Sequence, residues 1–595
     1  MSNKLDSSIN TDTNIKNGYE IIHHGGIGIG KERNLSWSCH ELRVWLRGEI
    51  TRILIDMWAY QWGGSISRIM EDIVDWVDTV IATHGHMDHI GSALAVTSGN
   101  KYPQNIITTP GTKFVMNVAL ADAIKIADEF RKAKERKLRQ DAEKIKLAVT
   151  FVNSFNKRKK GVVRNASGDR VETTEQAESK NAQLELMKRI LKENKVDPMD
   201  SKWYEKFTYV APLEYTEEDL MELMNQVQTH NIHDGWRDIA PGISIRFDNA
   251  GHILGSVSVT IRIKHNWVDH NVLFSGDLGS YKWDIHPNGL PTPPIDIPVE
   301  TVITESTYGW FTRAPFAEDL QQYEKQLWED IQKYDRVIHA CFALDRLQMM
   351  LYRVIDAKKR WIIPEDTLIF VDSVMGSKYI LPYVRQAQRQ DDKGLPNNNS
   401  PIHSIIDKDY SNREKHNLER FAYYLDPTNG EYIIIDYTNR DAWMQTIGDK
   451  KAIFLTASGM MDGGAIVDHL KKFISDPKTV FYSPWFLVEE TRWFNILQKQ
   501  SQEWGDKMID LWENATYKIN ATFRQPKWFS WHGDSEDIQT WVKSIPLAPD
   551  ANIIIVHGNK DTWSQELKKL LIQNNWLNEE QIIVPDLGTS LTKIF

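Results

Sequence analysis

Residues 83–91 read Thr83-His84-Gly85-His86-Met87-Asp88-His89-Ile90-Gly91, which places three histidines and one aspartate within six positions. The apolar run of residues 79–82 comes directly before them and predicts a strand. Because alternate residues of an extended chain project to the same side, His84 and His86 can share one ion, while Asp88 and His89 follow as the chain turns towards a helix. Imidazole and carboxylate groups suit zinc or a similar transition metal. The stretch therefore predicts a metal site at the end of a strand.

Four ligands in one loop are too few for two ions, so other segments must supply the rest. Three metal-capable side chains each follow a short β-rich run and have glycines beside them: His252 in residues 250–256, Asp277 in residues 274–279 and His557 in residues 553–558. Active-site residues of α/β folds gather at such positions. Each residue on its own has an ordinary structural interpretation. Together with the first cluster, the three predict one metal centre built from distant segments.

Further motifs accompany these residues. Asp56 closes a short apolar run, Glu305 lies in Thr304-Glu305-Ser306-Thr307-Tyr308-Gly309, and His532 lies in Phe529-Ser530-Trp531-His532-Gly533-Asp534. Two loop-like segments, residues 342–348 and 457–464, and the glycine-rich residues 25–31 complete the set. In this order the motifs resemble the metallo-β-lactamase fold, specifically its β-CASP branch of nucleases, to which ribonuclease J and the endonuclease of mRNA 3′-end processing belong. The resemblance covers residues 22–110 and 240–595.

The resemblance implies how the metal ligands are divided. His84, His86 and His252 would hold one zinc ion, Asp88, His89 and His557 would hold the other, and Asp277 would bridge the two. Two metals held close together can stabilise both the attacking and the leaving oxygen of a phosphoryl transfer. Asp56 is interpreted as the group that accepts an N–H from a ligand histidine and so fixes its tautomer.

The resemblance also implies roles for residues that bind no metal. His532 would donate a proton to the leaving oxygen, because an alkoxide leaves poorly and an imidazolium titrates near neutral pH. Glu305 would be the partner of His532. Four residues are predicted to contact the substrate: Ser530, Arg346, Ser458 and Gly459. The pattern departs from the family at Asp345, where glycine is usual.

Composition excludes several classes of protein. Two cysteines among 595 residues argue against a disulfide framework and predict a reducing compartment, so we expect a cytoplasmic protein. The polar first 18 residues predict no secretory signal, and no apolar run of about 18 residues exists, so we expect no membrane association. The net charge of −10 argues against a protein whose whole surface is basic for nucleic-acid binding, although it is compatible with a local basic groove.

Shifts in composition predict the domain organisation. The segments are a disordered tail (1–18), a metallo-β-lactamase domain in three parts (19–115, 240–310 and 526–595), a charged helical insertion (116–239) and a β-CASP domain (311–525). Helices are predicted over residues 119–149, 176–195, 217–230, 318–334 and 346–358, and strands over 367–371, 432–436 and 452–455. We interpret the basic runs of the insertion as solvated helix faces, with RNA contact as the alternative. The predicted fold class is α/β: an αββα sandwich with an inserted α/β cap domain and an extra helical insertion.

The function that the resemblance implies is that of a zinc-dependent ribonuclease, acting as an endonuclease, a 5′-exonuclease or both. It would hydrolyse phosphodiester bonds of single-stranded RNA with a hydroxide activated by two metals and a histidine general acid. Manganese and magnesium are alternatives to zinc, and the sequence leaves a homodimer open. A DNA nuclease or a small-ester hydrolase is the alternative enzyme, and an inactive scaffold of an RNA-processing complex is the alternative from another class. His557 favours RNA, because DNA-repair members of the family commonly carry valine there.

Overall fold

The structure is a computed structural model that describes most of the chain. The described residues are 17–25, 27–28, 38–57, 77–95, 103, 105–160, 174–197, 200, 202, 204, 215–232, 234–388, 412–435, 438–447, 450–483, 491–501, 507–511, 515–526, 532–573, 577–586 and 588–595. Of the predicted disordered tail, residues 1–16 lie outside this range, and Gly18 begins the first strand.

Two seven-stranded sheets form a sandwich. In sheet order, the first contains Ser590–Ile594, Gly18–His23, His40–Leu46, Glu49–Ile55, Thr79–Ile81, Asn105–Thr108 and Val227–Thr229. The second contains Ile582–Ile583, Leu547–Ile555, Val299–Thr304, Val268–Phe274, Val257–His265, Ile243–Asn249 and Arg237–Ala240. Smaller two-stranded sheets pair Met508–Leu511 with Ala515–Lys518 and Ile27–Gly28 with Gly558–Asn559.

The two large sheets share one apolar core. Ile53, Ile55 and Ile81 of the first sheet pack with Ile245 and Phe247 of the second, and all five are buried. Full burial of such a side chain contributes about 1.5–3 kcal/mol relative to its exposure. Helices Ser535–Lys543 and Trp563–Gln573 cover the outer face of the second sheet with a separate apolar cluster.

A third sheet belongs to an inserted α/β domain. Its order is Ile433–Ile434, Leu368–Asp372, Ala452–Thr456, Arg336–Ala340, Thr479–Tyr482 and Thr522–Arg524, and all neighbours are parallel. These strands come between Val299–Thr304 and Leu547–Ile555, which are parallel neighbours in the second sheet. The domain is therefore inserted between two strands that pair with each other.

The inserted domain has helices on both faces of its sheet, so its central strands are buried on both sides and read as continuous apolar runs. The predicted helices and strands of this segment are confirmed to within a few residues. The helices of the whole described chain are Met87–Ile90, Pro110–Lys160, Thr174–Glu193, Glu217–Gln226, Phe316–Lys333, Arg346–Lys359, Val374–Gln388, Asn412–Leu425, Arg440–Ile447, Ile466–Phe473, Arg492–Gln500, Ser535–Lys543 and Trp563–Gln573.

Residues 120–220 form a compact unit of their own, distinct from the unit of residues 1–119 and 221–595. Within it, Ile145, Val149 and Val152 pack with Leu184 and Leu191. Several of its basic side chains have acidic partners on the same helix, such as Lys132 with Asp128 at 2.6 Å and Arg139 with Glu135 at 2.5 Å. These pairs support the interpretation of its charged runs as solvated helix faces.

The predicted insertion, residues 116–239, is longer than this unit. Strands Val227–Thr229 and Arg237–Ala240 lie within the predicted range but belong to the sandwich. The predicted helix over residues 217–230 is too long, because the helix ends at Gln226 and Val227–Thr229 pairs with Asn105–Thr108. The β-branched Val227 and Thr229 favour a strand once that partner is present. Within the described parts of the chain, no helix has both the length and the apolar character that a membrane span requires.

Candidate metal centre

The topology brings distant metal-capable residues to one edge of the sandwich. Glu49–Ile55 and Thr79–Ile81 are parallel neighbours in the first sheet, and Val268–Phe274, Val299–Thr304 and Leu547–Ile555 run parallel in the second. Parallel strands end at the same edge, so the residues that follow them meet there. The side chains gathered in this way follow five strands: Asp56, His84, Asp277, Glu305 and His557.

One group of ligand atoms is formed by three histidines. His84 Nε2 and His252 Nε2 lie 3.0 Å and 3.3 Å from His86 Nδ1, and they lie 3.6 Å and 3.7 Å from Asp277 Oδ2. Nitrogens that bind one tetrahedral zinc ion at about 2.0–2.1 Å are about 3.3 Å apart. The four atoms therefore have the spacing of ligands around a single ion.

A second group lies on the other side of Asp277. His89 Nε2 and His557 Nε2 are 3.1 Å apart and lie 3.4 Å and 3.5 Å from Asp277 Oδ1. Asp88 Oδ2 is 3.8 Å from His557 Nε2. One carboxylate thus faces both groups, with Oδ2 towards the first and Oδ1 towards the second.

The electrostatics keep the three histidines of the first group and Asp277 in the form that a metal needs, whereas they favour a proton on His89, which a bound metal would displace. Burial is the main reason that the pKa values of His84, His86 and His252 lie well below the usual range, so their imidazoles are neutral. Burial opposes charge on Asp277, but the imidazoles of His557, His89 and His84 together hold its pKa well below the usual range. For His89, burial lowers the pKa, but Asp277, Asp56 and Asp88 together raise it well above its ordinary value.

A buried orphan atom supports the fit to metal. Asp277 Oδ1 is buried and has no hydrogen-bond partner among the described residues. Such an atom is costly unless something else satisfies it. A cation held with His89 and His557 would do so, and the two groups together fit two ions of the zinc class.

Asp56 orients one of the ligands. Its Oδ2 lies 2.6 Å from His89 Nδ1 and accepts hydrogen bonds from the hydroxyls of Thr83 and Ser38, both at 2.9 Å, while Oδ1 accepts from Thr83 N at 2.8 Å. The contact with a ligand histidine that the sequence predicts for Asp56 is therefore present. Because this contact occupies His89 Nδ1, the other ring nitrogen, Nε2, faces His557 and Asp277.

Thr307 plays the same part for His557, and sequence reasoning missed it. Its hydroxyl lies 2.9 Å from His557 Nδ1, which directs Nε2 towards Asp277. The available signal was its position, two residues after Glu305 in a motif that was already singled out.

His532 lies beside the first group. Its Nδ1 is 3.2 Å from Glu305 Oε2, and its ring centroid is 4.3 Å from that of His252. Glu305 is buried and accepts a hydrogen bond from Leu278 N through Oε1. Arg313 Nη2 donates to the His532 carbonyl at 2.8 Å, so the backbone of His532 is held as well. The predicted pairing of His532 with Glu305 is present.

Arg346 belongs to the inserted domain, and its side chain lies near His86 and His252 of the first group. Burial is the largest cause of the lowered pKa values of His86 and His252, and the Arg346 guanidinium lowers both of them further. For His252, the effect of His532 is larger than that of Arg346. The side chain is buried, and Nη1 has no hydrogen-bond partner within the described part of the chain. A buried cationic donor next to the metal ligands is suited to an anionic group.

Asp345 explains how Arg346 is held there. Its backbone has φ 69° and ψ −56°, and Arg346 N donates to Leu344 O at 2.8 Å, which together define the rare γ-turn with positive φ. Glycine adopts this conformation more easily, which accounts for the usual residue of the family. Asp345 instead accepts hydrogen bonds from Tyr383 and, at 2.7 Å, from Asn288 Nδ2. Tyr383 also accepts from Leu254 N at 3.3 Å, two residues after His252.

The remaining predicted substrate residues are less closely tied to the cluster. Gly459 packs on the ring of Phe342, since a Cβ there would lie 3.2 Å from it, and its carbonyl accepts from Ser483 at 3.3 Å. Ser458 N donates to Gly463 O at 3.2 Å in the same loop. These contacts of Gly459 and Ser458 all lie within the inserted domain. Ser530 lies outside the described residues.

Comparison with known families agrees with this geometry. The Beta-Casp domain model matches residues 346–492, and the model of the Zn-dependent metallo-hydrolase RNA specificity domain matches residues 516–580. The predicted fold class, a sandwich of two sheets with an inserted α/β domain, is confirmed by the structure, and the Beta-Casp match lies within the inserted domain.

Three curated proteins illustrate the resemblance. Transcription termination factor FttA of Methanosarcina mazei is 25% identical over 361 residues, which cover 58% of this chain and 50% of that protein. The RNase J-like protein of Methanocaldococcus jannaschii is 25% identical over 58% of this chain and 70% of its own length. Ribonuclease TTHA0252 of Thermus thermophilus is 21% identical over 82% of both chains. The chain thus spans about half the length of the first of these relatives.

Proposed function

We propose that this chain, a metallo-β-lactamase fold of the β-CASP type, is a zinc-dependent ribonuclease that hydrolyses phosphodiester bonds of single-stranded RNA. The observation that carries the proposal is the pair of ligand groups that face the two oxygens of Asp277. A histidine with a carboxylate partner and a buried arginine lie beside them. This set contains what phosphodiester hydrolysis requires: ligands for metal, a proton donor and a phosphate-binding cation.

Each residue has a separate task. Arg346 would bind a non-bridging phosphate oxygen through Nη1, because that donor is buried and lacks another partner among the described residues. His532 would protonate the leaving oxygen, with Glu305 fixing its ring through Nδ1. Asp56 and Thr307 would keep His89 and His557 in the orientation that directs Nε2 at Asp277. When bound to these ligands, two zinc ions would supply Lewis-acid polarisation of the phosphate and deprotonation of a water.

RNA is the substrate class that the similarities favour. The matched RNA specificity domain, residues 516–580, contains both His532 and His557. The relatives from Methanocaldococcus jannaschii and Thermus thermophilus carry ribonuclease names. By the family resemblance, histidine rather than valine at position 557 also favours RNA over DNA.

The proposal is tested on the full chain purified without chelator. We expect about two zinc ions per chain by elemental analysis and cleavage of a single-stranded RNA oligomer in preference to DNA of the same sequence. Chelation should abolish cleavage, and zinc should restore it. Cleavage of DNA alone would favour the DNA nuclease, and release of small esters without any nucleic-acid cleavage would favour the ester hydrolase. Two bound zinc ions with no hydrolysis of any substrate would favour the scaffold.

Arg346 gives a sharper test of substrate binding. Arg346→Ala should lower kcat/KM for RNA by about 10- to 150-fold, the range for losing a hydrogen bond to a charged group, while zinc content stays unchanged. Arg346→Lys should recover part of the loss, because it restores the charge without the bidentate geometry. An unchanged kcat/KM for Arg346→Ala would show that the phosphate is bound elsewhere.

A cytoplasmic location remains a prediction. It rests on the sequence, which has two cysteines among 595 residues. A homodimer also remains a prediction, which sedimentation of the purified protein would test.

A further inference from the structure

The turn that follows Glu305 connects the candidate catalytic residues with a pair of tryptophans, one of which is exposed. Residues 307–310 form this turn. Thr307 contacts His557, and the ring centroid of Tyr308 lies 6.0 Å from that of His532. The last residue of the turn, Trp310, has 46% of its surface exposed to solvent.

Trp310 has an aromatic neighbour on the helix that follows His557. The rings of Trp310 and Trp563 have centroids 6.5 Å apart and planes that differ by 22°, so they are nearly parallel. Trp563 is partly buried at the start of helix Trp563–Gln573. Trp310, whose ring also lies 5.4 Å from that of Phe311, therefore presents part of its aromatic surface to solvent three residues after Thr307.

The pair is held in place before any ligand binds. A Cβ on Gly309 would lie 2.9 Å from Leu567 Cβ and 3.1 Å from the Trp563 carbonyl oxygen, so the turn packs closely against the helix. Ser306 reinforces this contact, with its hydroxyl 2.9 Å from both Val556 O and the hydroxyl of Ser564. A rigid aromatic surface loses little conformational entropy on binding.

We propose that Trp310 and Trp563 form a base-stacking site for an unpaired nucleobase next to the phosphodiester that is cleaved. This site rests on the proposed RNA hydrolysis and adds the contact that recognises the strand. Trp310 is three residues from Thr307, so the two Cα atoms are at most about 10 Å apart. A base stacked on Trp310 would therefore belong to a nucleotide near the scissile one.

An RNA base is the occupant that this chemistry favours. Stacking on aromatic side chains is how single-stranded nucleic acids are held without sequence preference, because every base has a flat π face. A cation lies close to the same turn: the Arg313 guanidinium sits 4.9 Å from the centroid of the Tyr308 ring. The platform would thus select unpaired strands over duplexes, whose bases are already stacked.

The test compares Trp310→Ala with wild-type protein on RNA oligomers that carry one abasic residue at successive positions around the cleavage site. Trp310→Ala should raise KM for intact RNA by about 5- to 150-fold, with kcat changed by less than about threefold. In wild-type protein, one abasic position should raise KM to a similar extent. At that position the abasic residue should cost Trp310→Ala nothing further, and Trp310→Phe should retain most of the wild-type affinity.

Controls separate binding from folding. Trp328→Ala is the matched variant, because Trp328 is similarly exposed, at 51%, on helix Phe316–Lys333. Zinc content and the thermal transition should match wild type in all variants. A Trp310→Ala enzyme with wild-type KM, or one that keeps the full abasic penalty at every position, would overturn the stacking site alone. Wild-type protein that cleaves no RNA would overturn the proposed function first.

Discussion

Replacing Asp277 with asparagine or alanine should remove bound metal and activity together, with a loss of activity of more than about 1,000-fold. Asp277 faces both ligand groups, with Oδ2 3.6 Å from His84 Nε2 and Oδ1 3.4 Å from His89 Nε2. Its two oxygens face different groups, so its loss removes negative charge from both sites at once. Elemental analysis and an RNA cleavage assay on the same preparation measure the two effects.

Asp248→Asn is the matched control. Asp248 is also a buried aspartate of the sandwich, but it pairs with Arg246 at 2.8 Å and takes no part in the metal-ligand groups. Burial raises the pKa of Asp248 to about 6, so removing its charge costs less than removing that of Asp277. The control should keep its full zinc content. If Asp277→Asn also keeps two zinc ions, Asp277 is not a bridging ligand and the two-metal arrangement is wrong.

Local patterns explain which parts of the fold were predictable. The helices Phe316–Lys333 and Arg346–Lys359 were predicted to within two residues, because the apolar spacing that indicates a helix lies within each segment. The end of the helix Glu217–Gln226 was not predicted correctly, because strand formation at Val227–Thr229 depends on pairing with Asn105–Thr108. Neither segment alone identifies a pairing partner that lies so far away in the chain.

The same distinction applies to the metal centre. His84, His86, Asp88 and His89 are compact in sequence and sit directly after a strand, so their meeting could be predicted from the residues alone. The contact of Thr307 with His557 spans 250 positions, and that of Arg313 with the His532 carbonyl spans 219. The only sequence signal for Thr307 was its position in the Glu305 motif, and Arg313 had none, so the two contacts were identified from the folded structure.

His532→Ala should keep its full zinc content and lose about 10²–10⁴-fold in kcat on RNA, the usual contribution of a general acid or base. The physical reason is the leaving group: a ribose alkoxide departs poorly without a proton. His532 lies 3.2 Å from Glu305 through Nδ1, which leaves Nε2 as the nitrogen that can act on substrate. Its backbone is fixed by Arg313, so the ring is positioned before substrate arrives.

A change of leaving group distinguishes proton donation from a structural role. Bis(p-nitrophenyl) phosphate releases nitrophenolate, a stable anion that needs no proton, so His532→Ala should slow its hydrolysis by about tenfold or less. His416→Ala, at an exposed histidine on helix Asn412–Leu425, is the control and should match wild type on both substrates. Equal losses on RNA and on the nitrophenyl ester would show that His532 only shapes the site. Loss of zinc would make it a ligand, and an unchanged rate on RNA would mean that the proton comes from another group.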